Sequence, residues 1–475
     1  MRYLVAHYFP SLGGAFYIAE WVVRILSLAI LPWRRSPAAV RSWLLLIFFL
    51  PIPGLILFLA IGRPKFPEWR RQRFRELHPF ATRIAARLDE AAKPALDTTE
   101  REIAALARKL GRLPAVGGNA IELLDEYDAV IDRLVADIDA ATAHVRILAY
   151  IFADDAPATR VVDALARAVA RGLPVHVLFD PVGSHHWVRG TRAALTAAGV
   201  EYRETLPFRF LRGRTRRDMR NHRKLFLVDG RVGYAGSQNI VAKDFREGVV
   251  NRELVVRATG PVVAEMEALF IADWFLETEE LLDASPAIPA PTGDAMLQLL
   301  ASGADFPLHG FETLLVWQLH RACTHATIAT PYLIPDEDLL AALRTAVARG
   351  VEVDLVVSKV VDQRLVNLAQ SSYYDELMTC GVRIHRYCDE LLHAKNVSID
   401  GRLGIAGSSN VDIRSFQLNE EVSLLLLDPA SVAALETIQH AYLARSELLD
   451  LARWRARGRL RRTGEAIARL VSPLL

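Results

Sequence analysis

One stretch of this chain is written twice. Residues 221–239 read NHRKLFLVDGRVGYAGSQN, and residues 392–410 read LHAKNVSIDGRLGIAGSSN. His222 and His393, Lys224 and Lys395, Asp229 and Asp400, Gly236 and Gly407, Ser237 and Ser408, and Asn239 and Asn410 all share an offset of 171 residues. Each copy runs on to an Asn-x-Glu, Asn251 with Glu253 in the first and Asn419 with Glu421 in the second. The chain holds only seven lysines, so finding two of them at matching positions is not a matter of composition. Looser matches keep the same order. AVARG occurs at 168–172 and 346–350, each time leading into an apolar run, VHVLFD (175–180) or VDLVVS (353–358). An apolar strand pattern with a polar turn precedes each (145–155 and 326–337), and AAGVEYRE (197–204) or TCGVRIHRY (379–387) follows. Apolar strands alternating with helical patterns predict βαβ units on a buried, mostly parallel sheet. The fold class is therefore α/β, with two α/β/α halves packed about a pseudo-two-fold axis. The Pro-rich ASPAIPAPTG at 284–293 is the expected joint.

The repeated polar residues define a chemistry. In H-x-K on a strand, the His and Lys face the same side. Asp-Gly then closes a tight turn, and the next strand returns Gly-Ser-x-Asn beside them. Gly236 and Gly407 allow close approach of a neighbouring backbone or a substrate. Each half thus offers an imidazole, an ammonium, a hydroxyl and an amide. Lys and Asn donors suit the non-bridging oxygens of a phosphodiester and the charge that builds on them. One neutral imidazole can attack phosphorus. A second, protonated imidazole can supply the leaving alkoxide with its proton and then deprotonate the incoming alcohol. That scheme needs two histidines and no metal or cofactor. No GxxxxGK[ST] and no carboxylate cluster of the two-metal kind is present.

These residues resemble the HxKxxxxD signature of the phospholipase D superfamily, present twice. GSSNVDIRSFQLNEE (407–421), TPYLIPDE (330–337), SYYDELMTCGV (372–382), SPAAVRSWLL (36–45) and the terminal RLVSPLL (469–475) are similar to phrases of bacterial cardiolipin synthases. The resemblance runs from about residue 36 to the end. It implies two phospholipase D-like halves sharing one active site, and transfer of a phosphatidyl group between two phosphatidylglycerol molecules. The transfer would pass through a phosphohistidine and release glycerol. Carried over, His222 is the expected nucleophile and His393 the general acid/base, with the reverse left open by symmetry. Lys224, Lys395, Asn239 and Asn410 would hold phosphate oxygens, with Ser237 and Ser408 assisting. Glu253 and Glu421 would orient the imidazoles. Asp229 and Asp400 belong to the signature but sit in a turn. The first copy departs from the family pattern at AGSQNIVAKDF (235–245), which bears on acceptor selectivity. The alternatives are a hydrolysing phospholipase D, a phosphatidylserine synthase or a membrane-tethered nuclease, and, from another class, a non-catalytic lipid-binding scaffold.

Hydrophobic residues make up 52% of the chain, and the excess lies near the start. Residues 42–61 carry no charge over twenty residues, the length of a membrane-crossing helix. Residues 15–33 are apolar apart from Glu20 and Arg24, which sit i,i+4 and can pair. Pro51-Ile-Pro-Gly54 interrupts the second stretch, so two plain spans compete with a kinked or re-entrant second segment. Arg63, Lys65, Arg70, Arg71, Arg73 and Arg75 follow, placing what comes after them on the cytoplasmic side of a bacterial inner membrane. The expected organisation is a membrane segment (1–67), a helical linker (68–115), half 1 (116–290, motif 217–244), half 2 (291–450, motif 388–415) and a basic amphipathic tail (451–475). Arg209, Arg212, Arg214, Arg216, Arg217, Arg220 and Arg223 surround His222, and seven arginines mark the tail, both suited to anionic phospholipid. The partners expected are phosphatidylglycerol and the bilayer, with no nucleic acid and a homo-oligomer left open. Cys323, Cys380 and Cys388 form no CxxC pair and no metal spacing. His185-His186 is a weaker candidate for substrate contact.

Overall fold

Asp229 and Gly230 both take positive φ (57° and 59°) in the computed structural model, which describes residues 12–33, 37–62, 65–207 and 218–471. Arg231 N–H closes the turn onto the Val228 carbonyl at 3.0 Å. Asp400, Gly401 and Arg402 repeat this geometry, with φ of 54° and 63° and a 3.0 Å bond to Ile399. Positive φ at both central residues is the turn that matches strand twist, and Asp-Gly is a sequence that tolerates it. Each turn makes a hairpin, and each hairpin is the middle of one half.

Strands β1 (Val116–Leu124), β2 (Val145–Ala149), β3 (Val175–Phe179), β4 (Glu201–Glu204), β5 (Leu225–Val228), β6 (Val232–Gly236) and β7 (Val255–Thr259) build the first half. The second has β8 (Ala295–Ser302), β9 (His325–Ala329), β10 (Glu352–Ser358), β11 (Arg383–Tyr387), β12 (Asn396–Ile399), β13 (Leu403–Gly407), β14 (Glu421–Leu426) and β15 (Ser446–Leu448). Among the described residues these form one continuous sheet. Outward from its seam, the first half runs β1-β7-β6-β5-β2-β3-β4 and the second β8-β14-β13-β12-β9-β10-β11, with β15 added at the edge. The two orders match strand for strand. The seam pair β1/β8 is antiparallel, as a two-fold axis through the sheet requires.

Two details differ from the sequence reading. The sheet is mixed, not mostly parallel: only β2/β3, β3/β4, β9/β10 and β10/β11 pair in parallel. The Asp-Gly hairpin forces β5/β6 and β12/β13 to be antiparallel, and the flanking pairings follow. The H-x-K residues, moreover, lie just ahead of β5 and β12 rather than within them.

Gly236 and Gly407 are dictated by packing. A Cβ there would stand 2.4 Å from the Leu254 carbonyl oxygen and 2.2 Å from that of Val422, so the close neighbour is a strand, not substrate. A helix over Val262–Thr278 is buried on nearly every side, its acidic residues included, with Glu267, Asp273 and Glu277 paired to Arg146, Arg223 and Arg70. It packs on β8, while its counterpart Pro429–Ala444 packs on β1, so each half covers the other's seam strand. Three helices, Glu68–Glu76, His78–Ala91 and Thr98–Gly111, belong to the same compact unit, which spans 66–475.

Residues 1–65 form a separate unit. Its helix α1 (Leu12–Ile30) extends by one turn through Trp33, and Gly14–Trp33 is about 30 Å long, enough to cross a hydrocarbon core. The run 42–61 is not a single span. It breaks at Leu50 (φ −131°, ψ 75°) into α2 (Pro37–Phe49) and α3 (Pro51–Ile61), roughly 20 and 17 Å long. The Trp43 and Phe58 rings lie 5.3 Å apart, and a Cβ on Gly54 would sit 3.1 Å from Ile47 Cα. These pairs advance in opposite directions along the two helices, so the segment folds back on itself. Pro51 is the cause, because it offers no N–H to the preceding turn. Arg24 bonds Glu20 at 3.3 Å and donates from Nε to the Phe48 carbonyl at 3.1 Å. It thus masks its own charge and satisfies a helix-end carbonyl.

In a background with Cys323, Cys380 and Cys388 replaced by Ser, Ala39→Cys and Ile61→Cys are expected to react with an impermeant thiol reagent from the same side of sealed vesicles. Labelling from opposite sides would restore the straight span.

Candidate active site

Each histidine is pinned by the opposite half. The backbone N–H of His222 bonds the Glu420 carbonyl, and that of His393 bonds the Arg252 carbonyl, both at 2.8 Å. The next residue along in each case is the glutamate of the Asn-x-Glu. Glu421 accepts from His222 Nδ1 at 3.0 and 3.1 Å, and Glu253 from His393 Nδ1 at 2.7 Å. The glutamate of each half therefore orients the imidazole of the other. With Nδ1 held by a carboxylate, Nε2 is the nitrogen left to act. Both rings line one cavity of about 260 Å³, together with Asn239, Asn410, Asn251, Asn419 and Glu253.

The ammonium groups are buried beside them. Lys224 Nζ donates to the His222 carbonyl at 2.6 Å, and Lys395 Nζ to the His393 carbonyl at 2.5 Å. Burial brings Lys224 down to about 7, with Lys395 adding to it and Glu421 opposing it, and brings Lys395 down to about 8 against the pull of Glu253 and Glu421. Burial also lowers both histidines, His222 to about 4, against the pull of the facing glutamates. Burial would raise Glu253 and Glu421, but the adjacent histidines and lysines outweigh it and hold both carboxyls below their usual range. Two imidazoles and two buried ammonium groups together suit the site to an anion.

Ser408 Oγ donates to Glu421 at 2.5 Å, and Ser415 Oγ to its other oxygen at 2.9 Å. Ser237 bridges the Leu254 backbone through a 3.2 Å bond to its carbonyl and a 3.0 Å bond from its N–H. The serines support the glutamates and the strand, one layer behind the cavity. Asn239 gives its Oδ1 to the Ile151 N–H at 2.9 Å, so its amide donor is what faces the cavity.

Asp229 and Asp400 are not brought into the cavity. Asp229 accepts from the N–H groups of Thr142, Ala143 and His144 at 2.7–3.0 Å and from the Thr142 hydroxyl at 2.9 Å. Asp400 does the same with Cys323, Thr324 and His325. These carboxylates fasten the hairpin to the loop entering β2 or β9. Burial would raise them, but the amide donors prevail and hold both below the ordinary range.

Several cavity residues carry no repeat signature. Tyr150 packs edge-on to His222 at 4.7 Å, and Tyr332, near His393, donates to Asp362 at 2.5 Å. Arg220, Arg246, Asp412 and Arg414 complete the polar wall. Arg414 and Asp412 stand inside the quoted phrase GSSNVDIRSFQLNEE, so the signal was present; Arg246 and Asp362 had none. Arg223 is buried against Asp273 at 2.5 Å and does not line the cavity. Arg209, Arg212, Arg214, Arg216 and Arg217 lie outside the described residues. His185 and His186 pack on each other in the open and do not line the cavity.

The family model described as "Cardiolipin synthase, PLD-like domain" matches residues 134–274 and 315–442, one stretch in each half. The chain belongs to this family. Cardiolipin synthase A of Erwinia tasmaniensis is 33% identical over 470 residues, covering 95% of this chain and 96% of that protein. Cardiolipin synthase A of Serratia proteamaculans is 32% identical over 464 residues, with the same coverage. Among solved structures, phosphatidylserine synthase of Haemophilus influenzae superposes with a TM-score of 0.62 at 15% identity, covering 80% of this chain and all of that one. That likeness shows the shared two-half α/β fold. The family membership makes the chain a phosphatidyltransferase of the phospholipase D type.

Asp229→Asn and Asp400→Asn are each expected to lower unfolding stability by about 1.5–3 kcal/mol, while folded protein keeps most of its turnover. The lowered carboxyl pKa means that this contribution is complete above about pH 4 and fades on acidification. Denaturant titration alongside lipid turnover checks this; lost turnover at unchanged stability would put the carboxylates in the chemistry.

Proposed function

We propose that the chain joins two phosphatidylglycerol molecules into cardiolipin and glycerol by a ping-pong transfer through a phosphohistidine. The observation that carries the reading is the exchanged pair of His–Glu bonds, with both imidazoles opening on one cavity and a buried lysine bonded to the carbonyl of each histidine behind it.

His222 Nε2 attacks the phosphorus of the first phosphatidylglycerol. The P–O bond to the terminal glycerol breaks, and that oxygen takes a proton from His393. The departing glycerol makes room for a second phosphatidylglycerol, whose terminal hydroxyl gives its proton back to His393 while its oxygen displaces His222. The assignment of His222 as nucleophile rests on how the two imidazoles are held. Burial lowers both, and brings His222 down to about 4. Its glutamate is also the better held, by Ser408 and Ser415, whereas the position matching Ser415 in the first half is Asp244. Lys224, Lys395 and the Asn239 and Asn410 amides would neutralise the non-bridging oxygens, a term that grows as charge accumulates. Arriving phosphate raises the lysine and His393 pKa values, so substrate itself charges the site. The first membrane unit and the arginines that follow it favour a bacterial inner-membrane location, with the catalytic unit on the cytoplasmic side.

Purified protein given phosphatidylglycerol and a chelator is expected to yield cardiolipin and free glycerol in equal amounts. Phosphatidic acid without cardiolipin would identify a hydrolase, and no turnover a scaffold. His222→Ala and His393→Ala should each lose at least roughly 10³-fold in turnover, with labelled phosphatidyl trapped on protein only where His222 remains.

The pH profile follows from the same shifts. In the free enzyme Lys224 is charged only below about 7, so kcat/KM should fall as pH rises through 7–8. Bound phosphate holds the ammonium charged, so kcat should fall at higher pH. Coincident alkaline limbs would remove the lysines from phosphate binding.

A further inference from the structure

The last helices of the chain carry an exposed face that the chemistry above does not use. They are α4 (Leu451–Arg455) and α5 (Arg459–Val471). At about 3.6 residues per turn, Leu460, Ile467 and Leu470 fall within an arc of roughly 80° on the second of them. These three side chains are 92%, 59% and 71% exposed. Glu465 and Ala468, on the other side, are buried. Arg457 holds Glu465 at 2.5 and 2.8 Å, and Arg469 bonds Glu376 at 3.1 Å. The helix is therefore seated by one face and presents the opposite one. Arg459 and Arg462 are exposed; Arg459 lies beside the apolar arc, roughly 20° past Leu470, and Arg462 roughly 80° past it toward solvent.

What the helix is seated on gives this face its meaning. It packs against the helix Arg364–Ser371. That helix and the residues leading into it form one wall of the cavity, through Asp362, Gln363 and Val366. Val361 and Leu365, on the same stretch, are themselves exposed large apolar residues. Unpartnered apolar surface thus occurs on both members of a packed helix pair, and one member borders the site.

We propose that this face docks the catalytic unit on an anionic bilayer, with Leu460, Ile467 and Leu470 at the acyl boundary and Arg459 and Arg462 among the phosphates. A helix with a narrow apolar arc edged by arginine fits the chemistry of such an interface. The charge complementarity favours an anionic lipid surface over a protein groove, whose core is depleted of charge. Docking there brings the Arg364–Ser371 wall to the membrane, so a two-tailed lipid needs to lift only its headgroup into the cavity. The surface is independent of which lipid is donor or acceptor.

The test uses the full chain reconstituted in phosphatidylglycerol-containing bilayers, with the three native cysteines replaced by Ser and an environment-sensitive fluorophore on Ile467→Cys. Thr437→Cys, exposed on the helix Pro429–Ala444, is the control. Emission from position 467 is expected to blue-shift and to be quenched by lipids brominated in the acyl chain, while position 437 stays water-like. Adding Arg459→Glu and Arg462→Glu should weaken that quenching, and the partition it reports, by roughly tenfold. A water-like spectrum at 467 in these bilayers overturns the proposal. So does a blue shift that appears in detergent, grows with protein concentration and resists the bromines, since a second copy would then cover the face. The readout needs no turnover, so it stands or falls separately from the proposed reaction.

Discussion

Two hydrogen bonds, Glu421 to His222 and Glu253 to His393, bind the architecture to the chemistry. Each joins a residue of one half to a residue of the other, so neither half holds an oriented histidine alone. The antiparallel seam between β1 and β8 must be in register for both bonds to form at once. A buried glutamate without its imidazole would be an uncompensated charge, and such groups cost several kcal/mol. The 171-residue repeat is kept on both sides of the seam because each copy completes the other.

Behind this symmetric frame the two halves are chemically unequal. The carbonyl that receives His222 belongs to Glu420, and the one that receives His393 to Arg252. Glu420 is buried and paired with Arg70 at 2.9 Å, and Arg70 also reaches Glu277 at 2.5 Å. Arg223 with Asp273, and Asn221 with Asp273, extend the same buried network. Arg252 instead pairs near the surface with Asp125 and Glu126. Val241 occupies the cavity position that matches Asp412. Under the proposed transfer a pseudo-two-fold site binds a donor first and an acceptor second, and so has reason to differ in this way. The inequality sits where the sequence departs from its own repeat.

The repeat made the fold class, the number of halves and the twelve polar candidates legible, because those depend on local pattern and on identity at a constant offset. Ten of the twelve converge on the cavity or on the residues that line it. Asp229 and Asp400 do not, and their distinction from His222 and His393 depends on which loops fold beside the hairpin. The mixed sheet was misread because a short buried strand looks alike in either direction. The break in the 42–61 run was readable from Pro51, but whether the halves of that run part or fold back depends on packing such as Trp43 on Phe58. Arg246 and Asp362 had no signal, since the matching positions of the other copy hold different residues, Gln417 and Ser184.

By itself the sequence determined the inventory: two imidazoles, two ammonium groups, two glutamates and the Asp-Gly turns, each set by spacing that local backbone geometry obeys. Tertiary structure decided the pairing. The bonded residues stand 199 and 140 positions apart, and nothing local distinguishes Glu253 from Glu421 as a partner for His222. That choice is made by the seam, where β1 meets β8 and the backbone of one half hydrogen-bonds directly into the catalytic loop of the other.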